Sequence, residues 1–390
     1  WWRGADYSDE AIAVFGYEQP LYFNWVNRNK TGITLDLTSA EGVALLLRLV
    51  RTADAVVENY GQGVLTGFGL DYDVFRAERP DIVMMSMPAF GAATPWAEVR
   101  AYGSTLEQAA GVPVVTGWPD DPPTMNHIAY GDPIGGLSAC PALLTALLHR
   151  QRTGEGQFID LSQVECLFPL VAPWIIEQSV TGQVAPKTGN RHPTFVPHGC
   201  FACDGHDAWV VIAVTDDAAW RALCGVLERP DLAANPALAT AAGRRAVEAE
   251  LEAAITAWTG TRSPDEAMEA LQVAGVAAGA ARGLTEVLLY EPHLLARGYW
   301  QEVERPHMEW FQQPSPAFRE EGQPYPIRLA APTLGQSSRE VLTRILGLTS
   351  AELDRLEAAG VIGEAPISAT QRKPRSSALL HEAAAKARTS

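Results

Sequence analysis

Short apolar runs of strand length alternate with stretches of helical period along the first half of this chain. The run at 33–37 is short and apolar, and those at 54–59, 82–87 and 158–161 read as strands. Between them Leu45, Leu46, Leu49 and Val50 recur at helical spacing. The segment 71–79 reads as a helix ended by Pro80, and 134–150 as a long amphipathic helix closed by Thr153-Gly154-Glu155-Gly156. Thr38 followed by Glu41 reads as a capping box. Parallel neighbours need a crossover between them, so strand and helix in turn imply an α/β fold with helices on the faces of a parallel sheet.

The pattern changes after about residue 169. The stretch 186–205 holds three Pro and three Gly and no helical period, as a linker or active-site loop does. Beyond it a strand at 209–214, helices at 218–227 and 244–258 and a capping box at Ser263 and Glu266 suggest a second, smaller α/β domain. The stretch 271–281 reads as strand and turn, and 298–332 shows few regular signals. A last helix starts at Thr349 and Glu352 and stops at Gly360. The expected plan is a large domain over 1–185, a loop over 186–205, a small domain over 206–325, a return segment over 326–365 and a disordered tail over 366–390. A chain of 390 residues, 47% of them hydrophobic, can bury two such cores.

Charge and cysteine usage limit the function. A net charge of -16 argues against nucleic acid as a partner. No uninterrupted apolar run reaches the roughly 18 residues of a membrane span, so no membrane partner is expected. Five cysteines do not make a disulfide framework, and a reducing cytoplasm is expected. Cys200 and Cys203 form a lone C-x-x-C without the second ligand pair that zinc requires, so no metal is expected.

Three motifs can carry chemistry. Asn59-Tyr60-Gly61-Gln62-Gly63 follows a strand and allows backbone amides to approach a phosphate. Its glycine spacing is one residue off the dinucleotide fingerprint. A plain strand-to-helix turn explains it equally well, and a nicotinamide-dependent oxidoreductase is the functional alternative. In Phe158-Ile159-Asp160-Leu161-Ser162-Gln163-Val164-Glu165, Ser162 can cap a helix with Glu165 reaching back to it. A carboxylate there also faces the carboxyl end of a parallel strand, where open α/β sheets bind ligands and where it could attack a thioester. The glycine-bounded loop 189–199 brings together Gly189, Asn190, Arg191, His192 and His198, either as a lid or as hydrogen-bonded structural residues.

The order of motifs resembles that of the CaiB/BaiF, or family III, coenzyme A transferases. The resemblance rests on the runs 27–37 (NRNKTGITLDL), 53–60 (ADAVVENY), 69–72 (GLDY), 86–91 (SMPAFG), 152–157 (RTGEGQ) and 189–191 (GNR), and covers about 20–362. It implies a Rossmann-like large domain, a smaller α/β domain and an interlocked homodimer. It implies movement of CoA from an acyl-CoA donor to a carboxylic acid through an enzyme-bound anhydride and thioester. CoA is part of the substrate and no other cofactor is implied. The family's nucleophilic aspartate falls on Glu165, with Asp160 the nearby alternative. Asn59, Tyr60, Gly61 and Gly63 match the CoA-contacting loop, Leu37 and Phe68 the positions flanking adenine, and Arg100 a basic position near the CoA phosphates. Gly189, Asn190, Arg191 and His192 match the mobile loop over the nucleophile. Tyr102 matches the histidine with which the family's racemases deprotonate an acyl-CoA, and tyrosine is a poor base at neutral pH. A racemase and a non-catalytic partner subunit are therefore the alternatives within the family. The family's opening strand-helix-strand unit has no counterpart before Trp1, so the sheet is expected without its first strands.

Overall fold

The computed structural model describes residue 10 and residues 13–125 and 129–366. The tail expected over 366–390 lies, apart from residue 366, outside the described residues. Two compact units divide the described chain. The first takes in 13–110, 129–169 and 291–366, and the second 111–125 and 170–290. These boundaries come earlier than the 185 and 325 read from the sequence.

In the first unit, β1 (Ala55–Glu58), β2 (Val83–Ser86) and β3 (Phe158–Asp160) form a parallel sheet in that order. Ala55 pairs with Val83, and Met84 with Phe158. Every residue of β2 is buried, as expected of a central parallel strand. Helix α1 (Ala40–Val50) and helix α2 (Tyr72–Glu78) supply Val43, Val50 and Phe75 to a core with Leu70, Ile82 and Met84. Asp71 caps α2 through the amide of Val74.

One expectation near α1 is corrected. The cap is Ser39, whose Oγ accepts from Gly42 N at 3.0 Å. Thr38 instead donates its hydroxyl to Asp36, and Glu41 pairs with Arg355. The run 33–37 forms no strand. Its backbone is satisfied by the C-terminal segment, with Asp36 N donating to Val361 O and Thr34 N to Ser338 Oγ.

Helix α3 (Gly103–Ala109) leads to α4 (Gly131–Thr153), whose C-cap Gly154 lies at φ 77. Helix α4 lays Ala139 beside Met85 and Met87. By length and composition alone it is long and apolar enough to cross a membrane, a property shared by core helices of globular proteins. Helices α3 and α4 approach closely through two glycines. A Cβ at Gly131 would stand 2.7 Å from the carbonyl oxygen of Gly103. Gly131→Ala is therefore expected to cost about 1–3 kcal/mol, as overpacking does, measured as a lower urea midpoint.

At the other end of α4, Arg150 Nε donates to Asp81 at 2.6 Å and Nη1 to Asp54 at 3.0 Å. The hydrogen bond from Arg150 holds the Asp81 carboxyl below its ordinary value of 3.8. A depressed folded-state value means stability that is present above the unfolded value and lost as pH falls through the folded one. Asp81→Asn should therefore be less stable than the parent at neutral pH. The gap should close as pH drops below about 4, read from urea midpoints at a series of pH values.

The chain continues into α5 (Phe168–Thr181). In the second unit, β4 (His198–Ala202), β5 (Trp209–Ala213) and β6 (Ala277–Ala280) form an antiparallel sheet. The small unit thus mixes helices with an antiparallel rather than a parallel sheet. Helix α6 (Asp217–Val226) contributes to its core, α7 (Ala241–Ala246) supplies the buried Arg244, and α8 (Glu248–Thr259) and α9 (Pro264–Val273) add to the core. The helix expected over 244–258 breaks at Val247, and 271–273 belongs to α9 rather than to a strand. The Ser263–Glu266 capping box is present.

The first unit resumes with a hairpin, β7 (Trp300–Arg305) and β8 (Glu309–Pro314), where the sequence showed few signals. Arg305 is 1% exposed. It pairs with buried Glu18 and donates to the carbonyl oxygens of Ala331 and Pro332. These bonds tie the hairpin to residue 18 and to 331–332, both in the first unit. Helices α10 (Ser338–Leu346) and α11 (Ser350–Ala358) complete the fold, with the Thr349–Glu352 box in place.

Candidate active site

Past β3 the chain keeps the direction of the strand. Leu161 N donates to Ser86 O, Gln163 N to Pro88 O and Val164 N to Ala89 O. The amide of buried Gln163 donates to Met87 O at 2.6 Å. This ladder fixes 161–164 against the 86–89 turn and delivers Glu165 to the carboxyl end of the sheet. The capping box expected of Ser162 and Glu165 does not form. Ser162 is buried and its hydroxyl has no partner among the described residues. Glu165 opens a single 3-10 turn, Glu165–Leu167, before α5 begins.

Glu165 is exposed and makes no hydrogen bond or ion pair with a described residue. Its alternative, Asp160, is engaged: both carboxylate oxygens accept from Ala92 N, at 3.1 and 2.9 Å. Beside Glu165 lies a cavity of about 290 Å³. Phe90, Thr94, Pro95, Trp96, Ala109, Val164 and Phe168 line it together with Glu165. Of the residues that line it, Phe90 and Val164 fall within the 86–91 and 158–165 motifs, and Thr94, Pro95 and Trp96 stand shortly after the first of these.

The glycine loop lies at the carboxyl end of β1. Glu58 accepts from Tyr60 N at 2.8 Å and from the hydroxyl of Ser86. Asn59 and Tyr60 are exposed. Gly61 and Arg100 are brought together, since a Cβ at Gly61 would stand 3.7 Å from Arg100 Nε. Arg100 is exposed and makes no ion pair with a described residue. Gly63, at φ 83, caps a helix of one turn, Val64–Gly67, which is too short to offer the field a bound pyrophosphate needs. A second cavity, of about 310 Å³, opens here between Gly61, Gly63, Glu58 and Ser86. Leu37 and Phe68 both pack, half-buried, on the same core cluster. Tyr102 is the exposed N-cap residue of α3.

Gly189, Asn190, Arg191 and His192 belong to the second unit. Gly189, at φ 58, leaves no room for a side chain, because a Cβ would stand 2.5 Å from the Trp118 ring. Arg191 grips Glu252 with two bonds of 2.8 Å and lies 3.4 Å from Glu248. His192 Nδ1 accepts from Phe195 N, and the ring stacks on Phe195 at 4.3 Å. His198 Nδ1 lies 2.6 Å from Asn190 O, which makes it the donor. Arg191 and both histidines thus hold the shape of this segment. Burial raises the thiols of Cys200 and Cys203, and no metal-binding group of three or more His, Cys, Asp or Glu exists among the described residues.

Comparison with known proteins identifies the family. The family model for CoA-transferase family III matches residues 2–338. A succinyl-CoA–D-citramalate CoA-transferase of Chloroflexus aurantiacus is 34% identical over 343 residues, 88% of this chain and 85% of that protein. A succinyl-CoA:mesaconate CoA-transferase of Haloarcula hispanica is 33% identical, covering 73% of this chain and 72% of that protein. The crystal structure of a CAIB/BAIF family protein from Brucella suis superposes with a TM-score of 0.75 at 29% identity, covering 83% of this chain and 84% of that one. The chain belongs to CoA-transferase family III.

Proposed function

We propose that this chain moves CoA from an acyl-CoA to a carboxylic acid with Glu165 as the nucleophile. The observation that carries the reading is an unengaged carboxylate at the end of a parallel strand, beside a cavity. A Glu165 oxygen attacks the thioester carbonyl and CoA leaves as the thiolate, forming an acyl-glutamyl anhydride. The thiolate attacks the glutamyl carbonyl and releases the donor acid, leaving a glutamyl-CoA thioester. The acceptor carboxylate attacks that thioester and expels the thiolate again. The thiolate then takes the acceptor's acyl group and frees Glu165. No cofactor beyond CoA enters these steps. Arg100, Gly61, Gly63, Asn59, Tyr60, Leu37 and Phe68 are the proposed CoA contacts, and Tyr102 and the 189–192 segment the proposed substrate contacts. The relatives named for citramalate and mesaconate transfer support an acyl-CoA and a carboxylic acid as substrates.

The same reading gives the first unit a Rossmann-like plan and pairs two chains as an interlocked homodimer. Large apolar residues left exposed on α4 and α5, Leu137, Ile176 and Val180 among them, support the pairing. The five free cysteines fit a reducing, cytoplasmic setting. The test of the nucleophile is trapping. Enzyme incubated with acyl-CoA and then with hydroxylamine or borohydride should carry the modification on Glu165 in peptide maps. Turnover with that peptide unmodified would show the assignment to be wrong.

A further inference from the structure

The walls of the Glu165 cavity bear on the acid itself. We propose that the transferred acid is a monocarboxylic acid with an apolar tail, aromatic or branched, rather than a dicarboxylic acid. This inference rests on Glu165 being the nucleophile, because the acyl group must then lie beside it.

Aromatic surface dominates the space next to Glu165. Phe90 and Trp96 meet edge to face at 5.3 Å and 89°, and Phe168 lines the same cavity. Among the described residues the only hydroxyl on the wall is that of Thr94, and it is occupied. It donates to Phe90 O at 3.0 Å and accepts from Trp96 N at 3.3 Å. No Lys, Arg or His among the described residues lines the cavity. A second carboxylate on the acid would lose water against this wall without gaining a cation or a free donor from the described residues that line it. Sites built for a carboxylate offer a guanidinium fork or aligned amides. An apolar tail meets the opposite conditions. A cavity of about 150 Å³ holds benzene. The 290 Å³ here has room for a ring or branched chain with two or three further carbons.

The test is isotope exchange between a labelled acid and its own CoA ester, which needs no second substrate. The 3-phenylpropionate and 4-methylpentanoate pairs should exchange with kcat/KM at least tenfold above the glutarate and succinate pairs. Thr94→Arg places a cation on the wall and should narrow or reverse that order. Equal or faster exchange of the dicarboxylic pairs in the parent enzyme would overturn the inference and leave CoA transfer intact. Saturation-transfer NMR of 3-phenylpropionate gives a readout independent of turnover, with the signal expected to fall in both Thr94→Arg and Trp96→Ala. Binding without any exchange would keep the cavity's preference and remove the transfer reading. Neither exchange nor binding would overturn both.

Discussion

Glu165→Gln is expected to stop CoA transfer, with kcat lower by about 10⁴-fold or more, while KM for the acyl-CoA changes little. Gln is isosteric but cannot form the anhydride, and loss of a covalent nucleophile removes the intermediate on which all later steps depend. The pair of measurements matters because CoA is proposed to be held by other residues, near Gly61 and Arg100. A rise in KM with kcat preserved would instead mark Glu165 as a binding group. Glu165→Asp keeps the carboxylate but draws it back by one methylene, so a loss of about 10²-fold in kcat is expected. Steady-state rates for the three proteins, with hydroxylamine trapping in each, decide the matter.

The largest expected effect on stability comes from Arg305→Met. It leaves Glu18, itself 4% exposed, buried without its cation. Removing one partner of a buried pair costs about 3–5 kcal/mol, whereas replacing both with neutral groups costs much less. The double variant Glu18→Gln with Arg305→Met should therefore recover a large part of the loss. The readouts are the urea midpoint and amide exchange across β7 and β8, where protection should fall first. Equal midpoints for the single and double variants would show that the charge on Glu18 is not what the guanidinium balances.

Much of the first unit could be read from local pattern. Its three parallel strands and helix α4 are continuous apolar or periodic segments with clear ends, and Gly154 closes α4 as expected. The boxes at Ser263 and Thr349 were legible because nothing competes for their Glu side chains. The box expected at Thr38 failed because Arg355, far along the chain, takes Glu41. The one expected at Ser162 failed because 161–164 bonds to the 86–89 turn, and this turns Ser162 inward and Glu165 outward. The hairpin over 300–314 was invisible for a related reason. Its residues are largely polar, and Gln313 is placed by a bond to Asn24 O. At the candidate site, Glu165 and the Gly61–Arg100 pair were accessible through motif order. The walls contributed by Thr94, Ala109 and Phe168 were not, since separate stretches of chain bring them together.

The division of the chain has a consequence for that cavity. The backbone passes from the first unit into the second at Ala110–Gly111 and again at Pro169–Leu170. Ala109 and Phe168, two of the cavity's walls, stand one residue ahead of these crossings. Gly111, at φ 82 and with open space where a Cβ would be, follows the first crossing directly. A substitution at Ala109 or Phe168 therefore alters a wall of the pocket and the covalent link beside it at the same time.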